Sequence, residues 1–207
     1  MKKLTLLTSA MALVLSCSAA AKISPEQAAR LGNDLTPLGA EKAANADGSI
    51  PAWTGGITAA PAGYTAGMHH VNPFADDKVI LTIDKSNLDQ HKALLSPGQI
   101  QLFELYPESF KMNVYPTRRS ASYPQYVYDA TKNIATKAEL IEGGNGIVNA
   151  AIGIPFPIPQ NGLEAIWNHL LRYRGVAATR NGGQAAPTAA GAFTIIGFDE
   201  QIMFKYS

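Results

Sequence analysis

Residues 161–207 constrain the fold most, because the spacing of apolar residues changes within them. After Asn161 the spacing follows a helix, with a stripe formed by Leu163, Ile166, Trp167, Leu170 and Leu171 that we expect to be covered by apolar groups. After Gly175 the spacing becomes two, and one face of a strand would carry Ile196, Phe198, Ile202, Phe204 and Tyr206. An amphipathic helix followed by an antiparallel hairpin predicts an α+β fold, with a sheet curved over a helix.

The remaining sequence predicts short elements separated by turn residues. Ser24 and Ser96 each precede a proline and stand three residues before a glutamine, which is typical of a capped helix start. A third helix is predicted to begin at Pro124, and strands are predicted over residues 78–84, 111–115 and 176–180. The turn after the last of these strands is predicted either at residues 181–183 or at residues 187–191.

The first twenty-one residues have the features of a secretory signal peptide. Lys2 and Lys3 are followed by a mostly apolar stretch over residues 4–15 and by three alanines that end at Ala21. The apolar stretch is shorter than the roughly 20 residues that a membrane-spanning helix needs. The sequence therefore predicts a signal peptide over 1–21 and a single domain over 22–207 that works outside the cytoplasm.

Cys17 has two interpretations. Residues 14–17 form an imperfect lipobox, and cleavage there would make Cys17 an acylated membrane anchor. Cleavage after Ala21 would instead remove the cysteine. In either case the chain holds one cysteine, so an internal disulfide is excluded and the domain must depend on its core.

The charge balance excludes some partners. The 17 basic residues include Lys2 and Lys3, so removal of the signal leaves 15 basic against 16 acidic residues. A near-neutral chain without a basic face is not expected to bind nucleic acid. It also has no polybasic run of the kind that holds anionic lipid surfaces.

No motif in the sequence predicts catalysis or a cofactor. Histidines at 69–70 and aspartates at 76–77 are the one cluster of metal-ligand types, and we interpret them as a solvated loop with no metal. The glycine-rich residues 143–146 lack the lysine of a phosphate loop and read as a turn. Arg118 and Arg119 are candidates for binding a lipid head group or phosphate, with a solvated turn as the alternative.

Four blocks together carry a family resemblance: residues 35–57, 123–130, 143–146 and 152–175. They resemble the bacterial family called domain of unknown function 1329, whose members are often labelled as outer-membrane lipoprotein-sorting-like proteins. The resemblance implies an incomplete antiparallel β-barrel wrapped over helices, similar to the lipoprotein carrier LolA and receptor LolB. It also implies that a lipid or other hydrophobic molecule is bound in the periplasm, and that exporters of the resistance-nodulation-division type are partners of some members.

Family members are usually longer, with more strands after the position of Ser207. The resemblance therefore implies that this chain is C-terminally truncated and that its last strand lacks the next partner. An unpaired apolar edge of this kind favours pairing with another chain.

Our leading hypothesis is a non-catalytic periplasmic carrier or accessory protein, either free or attached to the outer membrane. Its predicted ligand is a lipid, an acyl chain or another hydrophobic molecule held between sheet and helix. The predicted lining residues are Phe156, Ile158, Trp167, Ile196, Phe198, Ile202 and Phe204. The alternatives are an envelope hydrolase acting on glycan or lipid, and an interaction module that dimerises through its last strand.

Overall fold

The computed structural model describes residues 22–206 of the chain. The predicted signal peptide and the candidate lipidation site Cys17 lie outside these residues. The helices are α1 (Pro25–Ala29), α2 (Leu88–His91), α3 (Pro97–Leu105), α4 (Gln125–Ile134) and α5 (Gly162–Leu171). The strands are β1 (Leu81–Ile83), β2 (Met112–Val114), β3 (Glu139–Leu140), β4 (Ile147–Val148), β5 (Ala177–Pro187) and β6 (Phe193–Met203). None of these helices has the length and apolar character to cross a membrane.

The predicted helix starts are confirmed. At the start of α3 the Ser96 hydroxyl accepts from the Gln99 backbone N–H at 3.3 Å, and the Gln99 side chain accepts from the Ser96 N–H at 2.9 Å. Ser24 and Gln27 make the same reciprocal exchange at α1. Each pair satisfies two backbone donors that a helix end would otherwise leave unpaired.

The strands form three two-stranded antiparallel sheets, β1–β2, β3–β4 and β5–β6. The predicted α+β class is therefore confirmed, and the described strands close no barrel. The strands predicted over 78–84 and 111–115 pair in the register that places Leu81 opposite Val114. Of the two turns predicted for the hairpin, the structure has the later one, because β5 continues to Pro187.

Contacts divide the chain into two compact units. The middle unit comprises residues 30–128, and the terminal unit comprises the described residues 22–29 together with 129–206. The boundary between them falls within α4. The prediction of a single domain over 22–207 stays a prediction.

The middle unit has a buried apolar cluster. Ile83 of β1, Leu88 of α2 and Phe103 of α3 form its centre, and Phe103 is 1% exposed. The Phe103 and Phe110 rings meet edge to face with centroids 4.7 Å apart. The half-buried residues packed around this centre are Leu81, Leu95, Phe110, Met112 and Val114.

The terminal unit orients α5 differently from the sequence-based expectation. The polar residue Glu164 is 4% exposed, whereas Leu163, Ile166 and Leu170 of the apolar stripe lie open to solvent. The reason is a set of hydrogen bonds from the preceding segment. Asn168 exchanges two of them with the backbone of Phe156, at 2.9 and 2.6 Å, and so turns the polar side of α5 inward.

The β5–β6 hairpin is the longest sheet among the described residues, with eleven residues in each strand. The face predicted to be apolar is the less exposed one near its base, where Phe198 and Ile202 are half-buried. Phe204 follows the strand and is buried. Farther from the base, Ile196 on the same face is exposed.

Candidate functional site

The middle unit contains a groove in which several ring side chains come together. Two depressions of about 300 Å³ and about 710 Å³ share four lining residues. The four are Pro37, Trp53, Tyr123 and Tyr128, and we call the space that they line the aromatic groove, after its three aromatic rings. Ligand pockets in proteins range from about 300 to 1,000 Å³, so the groove has the size of a small-molecule site.

Trp53 is fixed at the edge of its indole ring. Its Nε1–H donates to the Ala121 carbonyl at 2.9 Å, and its backbone N–H donates to the Lys42 carbonyl at 2.9 Å. The neighbouring Ile57 N–H donates to Ser120 O at 2.9 Å, which ties the same two segments together. The bond from Nε1 uses the polar edge of the indole. The rest of the ring is apolar, and it lines the groove.

Tyr123 and Tyr128 are held together by a hydrogen bond and by a contact between their rings. The Tyr123 backbone N–H donates to the Tyr128 hydroxyl oxygen at 2.7 Å, and the two rings meet edge to face at 6.4 Å. Tyr128 lies in the first turns of α4, so the helix places its ring in the groove. The rings therefore form a wall that is chemically suited to an apolar ligand.

Arg119 anchors one wall of the groove. Its guanidinium donates to the Glu41 carbonyl at 2.6 Å and, at 3.3 to 3.4 Å, to the carbonyls of Lys42, Ala43 and Pro51. An arginine has five N–H donors in a planar fork, and here the fork holds a loop that has no helix or strand of its own. The sequence left two interpretations of Arg119 open, a head-group ligand and a solvated turn, and the head-group role stays a prediction.

Arg118 has a different partner. Its guanidinium binds both carboxylate oxygens of Asp77, with Nε 2.9 Å from Oδ2, and lies 5.1 Å from the Phe74 ring centroid. The hydrogen bond with Asp77 raises the pKa of Arg118 above its ordinary value. Its predicted head-group role is likewise a prediction, and any acidic group that Arg118 bound would compete with Asp77.

Gly56 permits a close approach beneath the groove. Its φ of +73° lies in the left-handed region, and a Cβ there would stand 2.3 Å from the carbonyl oxygen of Ala121. Only glycine meets both conditions. The contact holds the segment that bears Trp53 against the segment that bears Tyr123.

The predicted lining residues of the terminal unit lie in several places. Phe156 and Ile158 line a space of about 10 Å³, roughly the volume that one water requires. The Trp167 ring donates from Nε1 to the Gly144 carbonyl at 2.9 Å. These three side chains pack within the protein, and their binding of a ligand stays a prediction.

The predicted lining residues of the hairpin have different surroundings. Phe198 lies across the strand from Gly182 and under the guanidinium of Arg180, 5.2 Å from the ring centroid. Phe204 is covered by Arg174 at 4.5 Å. Ile202 lines an open depression of about 390 Å³ between β5 and β6. Ile196 is exposed nearer the turn.

The histidine and aspartate cluster has structural contacts. The His70 ring stacks on Tyr64 with centroids 5.7 Å apart, and Asp77 is the carboxylate paired with Arg118. Residues 22–206 contain no group of three or more His, Cys, Asp or Glu side chains placed to hold a metal ion.

Comparison with known proteins identifies the family. A family model described as protein of unknown function (DUF1329) matches residues 82–207. The chain belongs to the DUF1329 family. The uncharacterized protein PA3922 of Pseudomonas aeruginosa is 46% identical over 204 residues, which is 98% of this chain. The chain spans 45% of the length of that relative. No solved structure matches the chain.

The sequence-based predictions of binding residues included none of the four residues of the aromatic groove. A usable signal was nevertheless present, because residues 35–57 and 123–130 are two of the blocks that resemble the DUF1329 family. The structure brings these two blocks together as the walls of the aromatic groove.

Proposed function

We propose that this protein is a non-catalytic carrier or accessory protein that binds a hydrophobic molecule, such as a lipid acyl chain, in the periplasm. The observation that supports the proposal is the aromatic groove, where depressions of about 300 Å³ and about 710 Å³ share four lining residues. The signal-peptide features of the sequence support the periplasmic location, either free or attached to the outer membrane.

Burial of apolar surface would supply the affinity. Each buried methylene contributes about 0.8 kcal/mol, so an acyl segment of several carbons gives useful binding after the ordering costs. An apolar guest would leave in place the hydrogen bonds from Trp53 Nε1 to Ala121 and from the Tyr123 N–H to Tyr128, because both are made within the protein. Release to a recipient would then require only a more apolar environment or an opening of the groove.

The proposal extends to the fold of the longer family members. We infer that β5 and β6 belong to a LolA- and LolB-like incomplete barrel, in which their half-buried face looks toward helices. The eleven-residue antiparallel hairpin supports this inference. Lipoprotein sorting at the outer membrane, or cooperation with a resistance-nodulation-division exporter, is the setting in which we expect such a carrier to work.

Extraction of the native protein tests the proposal. The secreted protein would be purified without detergent and extracted with organic solvent, and the extract would be analysed by mass spectrometry. We expect co-purified lipids or acyl compounds, and we expect the protein to bind a fluorescent fatty acid that they displace. An empty extract together with an unchanged fluorescence signal would overturn the carrier proposal.

A groove-filling substitution locates the site. Ala40 lines the smaller depression, so Ala40→Phe would occupy the space with a ring and leave the hydrogen bonds of Trp53 and Arg119 in place. Loss of the space for two methylenes corresponds to a fatty-acid affinity about tenfold weaker. Ala44→Phe adds the same ring at an exposed neighbouring position and should leave the affinity unchanged. Equal effects of the two substitutions would place the ligand elsewhere.

A further inference from the structure

The far end of the β5–β6 hairpin lacks charge. Residues 181–198, which we call the hairpin tip, contain no Asp, Glu, Lys or Arg. They comprise most of β5, the turn and the first half of β6. Alanine, glycine, phenylalanine and isoleucine dominate them. A solvent-facing hairpin ordinarily places charged side chains on at least one face, so this composition calls for a physical explanation.

Large apolar side chains project from both faces of the tip. Phe193 and Ile195 share one face and are 63% and 65% exposed, while Ile196 on the opposite face is 61% exposed. Their cross-strand neighbours are Pro187, Ala185 and Gln184. A protein partner that packed on one face would leave the other in water. Apolar surroundings on both sides at once are what a lipid layer provides.

The charged residues of the hairpin that lie next to the tip are Arg180, Asp199 and Glu200. Arg180 of β5 is paired with Glu200 of β6, with Arg180 Nε 2.8 Å from Glu200 Oε2. One residue nearer the turn, Asn181 pairs with Asp199. From Gly182 to Pro187 the strand extends about 20 Å beyond this level, at roughly 3.3 Å for each residue. The charged side chains of the hairpin therefore lie on one side of the tip, and none lies between them and the turn.

We propose that the hairpin tip inserts into the surface of a lipid bilayer, with Phe193, Ile195 and Ile196 as the side chains that enter it. This inference goes beyond the carrier proposal and does not rest on it. The insertion is shallow, on the order of 5–10 Å into the boundary between head groups and acyl chains. Deeper entry is disfavoured because Arg180, Asp199 and Glu200 lie where the tip begins, and charged side chains are costly in hydrocarbon.

The near-neutral charge of the chain predicts how the membrane is recognised. Without a polybasic run, attraction to anionic lipids contributes little, so apolar contact must dominate. Binding should then be similar for vesicles of phosphatidylcholine alone and for vesicles of phosphatidylethanolamine with phosphatidylglycerol. It should also persist at high salt, because screening weakens charge attraction and leaves apolar contact largely unaffected.

Vesicle flotation of the full secreted chain tests the inference. Cys17→Ser would be present throughout, so that an acyl anchor cannot mimic insertion. A variant with Phe193→Ser, Ile195→Ser and Ile196→Ser should partition on the order of 100-fold less to both kinds of vesicle. The matched control replaces three exposed apolar residues of the middle unit, Ile80→Ser, Leu94→Ser and Leu105→Ser, and should float like the parent. Parent protein that stays unbound, or an equal loss in both variants, would overturn the inference.

An environment-sensitive fluorophore reports the depth of insertion. Attached at Ala190→Cys in the turn, it should shift its emission to the blue on vesicle addition, whereas at Gln201→Cys near the base it should not. Light scattering in the absence of lipid examines the competing explanation, a second copy of the chain. A dimer that the triple tip variant abolishes, with no vesicle binding, would assign the tip to self-association and contradict the membrane proposal. The tip variant should still bind a fluorescent fatty acid. Such retained binding would show that a loss of vesicle binding concerns the tip and not the carrier proposal.

Discussion

The apolar cluster of the middle unit and helix α5 of the terminal unit differ in which side chains they bury. The middle unit buries Ile83, Leu88 and Phe103 in one cluster and arranges further rings around a groove. The terminal unit buries the carboxylate-bearing Glu164 and leaves the Leu163 side of α5 exposed. An apolar stripe in a sequence therefore predicts a face of a helix but does not predict what covers that face.

The largest expected effect contrasts a buried ring with an exposed side chain. Phe103→Ala removes the centre of the middle-unit cluster and should lower the free energy of unfolding by about 3–5 kcal/mol. Ile195→Ala in the hairpin tip should change it by less than about 0.5 kcal/mol, because that side chain already faces solvent. Urea unfolding of both variants measures the contrast. Comparable losses would mean that the hairpin tip is packed in solution.

The next effect concerns the close approach under the groove. Gly56→Ala introduces both a strained backbone and a clash with Ala121, and should cost about 3 kcal/mol. Gly63→Ala is the control, since its φ is also positive at +81° but its Cβ would meet no atom within 4 Å. The control should cost about 1 kcal/mol. Equal midpoints in urea unfolding would show that the segments bearing Trp53 and Tyr123 are not in contact.

A smaller difference in the free energy of unfolding is expected between variants of Arg118 and Arg119. Arg119→Ala removes the guanidinium donor from the Glu41, Ala43 and Pro51 carbonyls and should cost about 2 kcal/mol, whereas Arg118→Ala breaks a half-exposed ion pair worth less than about 1 kcal/mol. Arg119→Lys should recover less than half of the loss because an ammonium cannot reproduce the fork. A fall in stability that was larger for Arg118→Ala would contradict the anchoring role of Arg119.

The smallest effect should be the same in both units. Ser24→Ala and Ser96→Ala each remove one N-cap hydroxyl from a Ser-Pro-x-Gln helix start, and each should cost about 1 kcal/mol. Thermal unfolding of the two single variants gives the comparison. A cost confined to Ser96→Ala would indicate that α1 is held by its packing and not by its cap.

The sequence predicted what depends on neighbouring residues and missed what depends on distant ones. The caps at Ser24 and Ser96 involve residues three positions apart, so a local pattern was sufficient. The aromatic groove instead depends on the bond from Trp53 to Ala121, 68 residues away, and no local spacing encodes that contact. The apolar stripe likewise did not predict the buried side of α5, because Asn168 binds the backbone of Phe156, 12 residues away, and Glu164 is buried on that side.

Photo-crosslinking compares the two units as ligand sites most directly. A fatty acid bearing a diazirine near the end of its chain would be bound to the full secreted protein and irradiated, and the modified peptides would be identified by mass spectrometry. We expect adducts in the peptides that carry Trp53, Tyr123 and Tyr128, and their loss in Ala40→Phe. Adducts confined to the peptides of Phe156, Trp167 or β6 would contradict the assignment of the ligand to the aromatic groove.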